Sequence, residues 1–140
     1  MNLHIHKLRW LLASTIATAA MTVMMMMAPK MGMPPMDVPG MLAGVVGGPP
    51  WIGLIMHLMM GWGLGLGYIV LASDRLPGPP FARGMLFAMA PWLMAQLVVM
   101  PMMGQGIGGG SLMSVMGSLM GHLLWGGLMG QLYGHDADHH

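Results

Sequence analysis

Hydrophobic residues in this chain run in long stretches that no charge interrupts, and the lengths of those stretches predict its elements. Arg9 to Lys30 encloses 20 uncharged residues, Asp37 to Asp74 encloses 36, and Arg83 to Asp136 encloses 52. A helix crossing a bilayer needs about 20 apolar residues, so the first stretch holds one span. The second opens on Asp37-Val38-Pro39 and contains the helix breaker Gly47-Gly48-Pro49-Pro50, which leaves one span from Trp51 onward. The third is cut by Gly104-Gln105-Gly106-Ile107-Gly108-Gly109-Gly110-Ser111, a tight connection between two further spans. The pattern predicts an all-α, integral membrane four-helix bundle. Its spans fall at about 8–28, 51–72, 84–103 and 111–133, in a single domain over 1–140 with a short tail at 134–140.

Composition agrees. Of 140 residues, 6% are charged and 56% hydrophobic, with no glutamate at all, whereas a soluble domain carries roughly a quarter charged residues. The lipid bilayer is the expected surrounding. A net charge of +1 argues against a nucleic-acid partner. The absence of cysteine excludes disulfides, thiolate nucleophiles and thiolate metal sites.

Lys7, Arg9, Arg75 and Arg83 fall at one side of the predicted spans and Lys30 at the other, which places both termini in the cytoplasm. Trp10 and Trp51 are expected as anchors at opposite interfaces. A cleavable signal ending near Ala17-Thr18-Ala19 is the rival reading, but the apolar run continues through Met27. In the external connection, Asp37 can cap a short interfacial helix with Pro39 in its first turn.

The second and fourth spans share a motif. His57-Leu58, Gly61, Gly65 and Tyr68 match His122-Leu123, Gly126, Gly130 and Tyr133 at a constant offset of 65, as His-Leu-x-x-Gly-x-x-x-Gly-x-x-Tyr. The chain then reads as two pseudo-repeated helical hairpins sharing one direction in the membrane. At about 100° per residue, the His, both Gly and the Tyr of each motif fall on one helix face. Each histidine lies roughly 16 Å along its helix from the tyrosine, near the bilayer midplane.

An ionisable ring at that depth is costly without partners and marks a functional hypothesis. If the spans wind in order around a square, the second and fourth lie on a diagonal of roughly 14 Å. His57 and His122 could then be axial ligands of a haem b, with Gly61 and Gly126 making room for the porphyrin and Ser118 orienting His122. A structural reading competes with this one. The two rings hydrogen-bond each other or a backbone carbonyl, and Gly61, Gly65, Gly126 and Gly130 serve helix packing. A proton, copper or small-ligand site at the histidines is a third alternative.

Methionine makes up 23 of the 140 residues. In the external connection, Met31, Met33 and Met36 resemble a thioether set for Cu(I), although such clusters arise by chance at this density and methionine also fills irregular gaps. His4-x-His6 and the tail His135-Asp136-Ala137-Asp138-His139-His140 read as solvated termini that could also take a metal. No phosphate loop, nucleophile elbow, paired carboxylates or HExxH motif is present, so an enzyme is not expected unless a cofactor supplies the chemistry.

The Asp-Val-Pro-Gly-Met-Leu-Ala run at 37–43, the Met-His-Leu of the second span, the Arg-Leu-Pro-Gly at 75–78 and the His-Leu…Gly…Gly…Tyr of the fourth resemble an uncharacterised family of small four-span bacterial inner-membrane proteins. The resemblance covers about residues 10–134. It implies the same fold and location, and carries no activity. Three functions remain open: a non-catalytic accessory or assembly subunit packed against other membrane protein subunits, a bis-His haem b electron carrier, and copper or small-solute handling.

Overall fold

The computed structural model describes residues 5–134. Five helices form there, and no strand occurs among the described residues. We label them α1 (Lys7–Met27), α2 (Val38–Val46), α3 (Pro50–Leu71), α4 (the span Pro80–Met102) and α5 (Leu112–Tyr133). All but α2 are long and apolar enough to cross a membrane, and the chain is a membrane protein.

The helices are inside-out relative to a soluble bundle. The buried positions of α1 are Ala13, Ser14, Ala17, Thr18, Met21 and Met25, while Leu8, Leu12, Ile16 and Val23 face outward. Lipid solvates large apolar side chains as well as a protein interior does, so association relies on close packing and interhelical hydrogen bonds between small and polar residues. That rule sets the neighbours. α1 packs on α3 and on α5, α4 packs on α5, and α2 lies against α3. α3 and α4 meet only slightly. α4 is therefore the least covered span, with 17% of its most apolar stretch buried against 28–33% in the others.

The ends of the elements follow local chemistry. α1 continues through a 3₁₀ turn at Ala28–Met31 and stops at Gly32, whose φ of 86° suits only glycine. Asp37 accepts the Gly40 N–H at 2.9 Å with Pro39 in the first turn, so α2 is the short capped helix expected there. Ser111 caps α5 by accepting the Ser114 N–H at 3.1 Å.

α4 departs from expectation at both ends. It begins at Pro80 rather than near residue 84, so Arg83 lies inside its first turn. Pro80 needs no backbone N–H partner there. Arg83 turns back to donate to the Ser73 carbonyl at 2.7 Å, carrying its charge toward the α3–α4 connection. Toward its other end the helix loosens into a π turn over Ala95–Val99, where the Met100 N–H reaches the Ala95 carbonyl five residues back. Pro101 follows directly. Its ring excludes the ordinary contact with residue 97, and the wider turn relieves that conflict. The π turn also places Gln96 in the interior.

Candidate functional site

Both histidine motifs lie on buried helix faces. His57, Gly61, Gly65 and Tyr68 are all buried on α3, as are Gly126, Gly130 and Tyr133 on α5, with His122 partly covered. α3 and α5 stand across the bundle from each other, and both pack on α1.

The hydrogen-bond network assigns the protons of both rings. The His122 Nδ1 lies 2.8 Å from the Ser118 carbonyl, an atom that can only accept, so Nδ1 carries the hydrogen. The Thr22 hydroxyl donates to the Thr18 carbonyl at 2.8 Å, which leaves its oxygen to accept from His57 Nδ1 at 3.3 Å. In each neutral ring Nε2 is then the lone-pair nitrogen. Ser118 does orient His122, but through its carbonyl. Its hydroxyl instead accepts from Gln96 Nε2 at 3.0 Å and ties α4 to α5.

The glycines beside the histidines are in close helix contact. A Cβ on Gly61 would fall 1.9 Å from Thr18 Oγ1, and one on Gly126 would fall 2.2 Å from the Gly84 carbonyl oxygen. Gly130 meets the Pro80 carbonyl in the same way, and Gly65 meets Ser14, Trp10 and Met129. In this packing the space expected for a porphyrin at Gly61 and Gly126 is taken by α1 and α4. Trp125 and Met129, both buried, lie one and two turns beyond His122 on the same helix.

Several residues that organise this interior were missing from the sequence reading. Ser14, Thr18 and Thr22 recur every four residues on α1 and form a hydroxyl stripe. Thr18 accepts from Trp125 Nε1 at 3.1 Å, and Thr22 holds His57. The four-residue spacing was the available signal. Gln96, the lone amide within its span, was another. Trp10 donates to the Trp62 carbonyl at 2.9 Å, while Trp51 is exposed. Gly53, at the place corresponding to Ser118, is where α2 meets α3: a Cβ there would fall 1.7 Å from the Pro39 carbonyl oxygen.

Met31, Met33 and Met36 come together around one cavity with methionines from α1 and α5. Among the described residues no group of three His, Asp or Glu side chains gathers at metal-binding distance. The expected metal candidates His4 and the tail from His135 lie outside the described residues.

A protein-family model matches residues 9–140, nearly the entire chain. The chain belongs to DUF6789, a family of unknown function. The DUF6789 match takes in both histidine motifs, the glycine contacts and the methionine-rich connection. No curated protein and no solved structure matches.

Proposed function

We propose that the protein is a non-catalytic accessory or assembly subunit of a larger complex in the bacterial inner membrane, with both termini in the cytoplasm. The observation that carries this reading is the closure of the histidine-bearing faces by direct helix contact. Gly126 and Gly84 meet backbone to backbone, and His57 and His122 are engaged by Thr22 and Ser118. The His57–Thr22 contact joins α3 to α1, whereas His122 is tied to a carbonyl of its own helix, so the glycine contacts hold the α5 face closed. α4, packed mainly on α5, leaves the broadest span surface for a neighbouring subunit. An even number of spans supports both ends lying on one side, and the excess of Lys and Arg near those ends favours the cytoplasm. The two-hairpin repeat fits the same packing, since the motif glycines of α3 face α1 and those of α5 face α4. Affinity purification in mild detergent is expected to recover the protein with stoichiometric membrane partners. Recovery of the protein alone, at full yield and from its native membrane, would count against the proposal.

One observation favours a bis-His haem reading as well. Both rings direct Nδ1–H to an oxygen and keep Nε2 as the lone-pair nitrogen, the state of a histidine prepared to bind a metal. Haem binding requires Thr18 beside Gly61 and Gly84 and Ala88 beside Gly126 to give way. A haem-bound protein purified from haem-replete cells shows a Soret band that shifts on reduction and disappears in His57→Ala or His122→Ala. A colourless preparation ends this reading.

A further inference from the structure

We propose that the methionine-lined cavity at the Lys30 end of the bundle binds one soft monovalent cation, Cu(I) or Ag(I), through thioether sulfurs. The proposal does not depend on the accessory-subunit reading.

Three separate segments build the cavity. α1 contributes Met24 and Met25, the connection after it contributes Met31, Met33 and Met36, and α5 contributes Met113 and Met120. Only Ala28, Pro34 and Gly117 complete the lining. Seven of ten lining residues are methionine, in a chain where 23 of 140 are. Composition alone would supply fewer than about two in ten, and about three if only hydrophobic residues are drawn. Within the linear sequence, methionine clusters are expected by chance. Their convergence from three segments on one small volume is a different observation, because it depends on how those segments pack and not on their order in the chain.

Size and chemistry narrow the occupant. The cavity holds about 40 Å³, close to the volume of one water molecule and far too small for a porphyrin or an acyl chain. A water there would find almost no polar partners, and an apolar cavity of this kind stays dry. Thioethers are neutral and soft, and they select Cu(I) over harder divalent ions. No carboxylate lines the cavity to offset a second positive charge. Asp37, the carboxylate nearest to the connection in sequence, is engaged with the Gly40 N–H. The cavity also has an entrance. Met31 is 69% exposed at the surface and Met25 only 7% exposed at depth, so the methionine lining runs from the surface into the interior.

Gly117 gives this arrangement a specific support. A Cβ there would lie 2.7 Å from Met33 Cε and 4.0 Å from its sulfur. The missing side chain leaves room for the methyl end of Met33, a flexible group, against α5. Binding involves no electron transfer when the ion is supplied as Cu(I): sulfur lone pairs replace the ligands of the carrier.

The test is an anaerobic titration of the full-length protein in detergent micelles, with Cu(I) delivered from a chromogenic chelator and, separately, with Ag(I). One ion per chain is expected, with ¹³C-methyl resonances of Met25, Met33 and Met36 shifting and those of Met59, Met60 and Met102 unmoved. The combined variant Met31→Leu, Met33→Leu, Met36→Leu should bind at least about tenfold more weakly at unchanged helicity. The control Met59→Leu, Met60→Leu, Met102→Leu should keep the affinity of the unmodified protein. The proposal fails if binding is not stoichiometric, if both triple variants lose affinity equally, or if Zn(II) competes as well as Ag(I).

Discussion

Gly126→Val severely destabilises or unfolds the bundle. The new Cβ would sit 2.2 Å from the Gly84 carbonyl oxygen and 2.6 Å from the Ala88 Cβ, and a Cβ on Gly84 would in turn sit 1.8 Å from the Gly126 carbonyl oxygen. Neither obstacle is the end of a flexible side chain that can swing aside. α4 and α5 must separate, and with them the Gln96–Ser118 hydrogen bond that joins the two helices. Overpacking a well-filled site costs about 1–3 kcal/mol, and more where backbone must move. We expect the upper end or beyond, because α4 has no other extensive neighbour. Thermal unfolding in detergent, followed by the helical circular dichroism signal, should show a much lower midpoint or no cooperative transition. Gly63→Ala is the control. Nothing lies within 4 Å of a Cβ at that position, so the gain in helix propensity, up to about 1 kcal/mol, should leave the midpoint level or raised. Equal behaviour of the two variants would show that the α4–α5 contact is looser than these distances imply.

Thr18→Val has the second-largest expected effect, and it acts through a polar group rather than through volume. Valine keeps the shape of threonine but cannot accept the Trp125 Nε1–H, which is 3.1 Å from Thr18 Oγ1 in a buried setting. An indole N–H left without a partner costs about 1–3 kcal/mol in a protein interior. Interhelical hydrogen bonds measured in membranes average about 0.6 kcal/mol with a maximum near 1.7. An expected loss of about 1 kcal/mol lies within both ranges. Trp125 should also change its fluorescence emission. Thr18→Ser, which retains the hydroxyl, should recover most of the stability. If serine and valine are equally destabilising, the loss comes from packing against Gly61 and not from the hydrogen bond.

These two sites differ in how far the sequence announces them. The glycines stand out at four-residue spacing, and their place on a packed helix face follows from that spacing alone. Their partners do not, because the partner depends on the rotation and axial offset of a second helix that no local pattern encodes. Thr18 shows the reverse case. Its partner Trp125 lies 107 residues away, yet the stripe of Ser14, Thr18 and Thr22 was visible as a run of hydroxyls in a chain poor in polar groups. The start of α4 misled the charge argument for a related reason. A charge inside hydrocarbon is costly, but Arg83 reaches the Ser73 carbonyl from the first turn and lessens that cost, an outcome set by the length of its side chain and the position of the preceding loop.

What can be read along the chain is what hydrocarbon imposes residue by residue. Charges are excluded, so the uncharged stretches mark four spans. Backbone groups must be satisfied within the segment, so the spans are helices. Glycine and proline end them, and the helical repeat puts each histidine, its two glycines and its tyrosine on one face. Folding in three dimensions settles which neighbour fills each glycine notch, which oxygen accepts from each imidazole, and which methionines converge. Those outcomes are contacts between segments far apart in sequence. In lipid they depend on shape complementarity and on single hydrogen bonds rather than on burial of apolar surface, so hydropathy carries little trace of them. The cavity shows the difference most clearly: methionines scattered from Met24 to Met120 become one lining when α1, the connection and α5 meet.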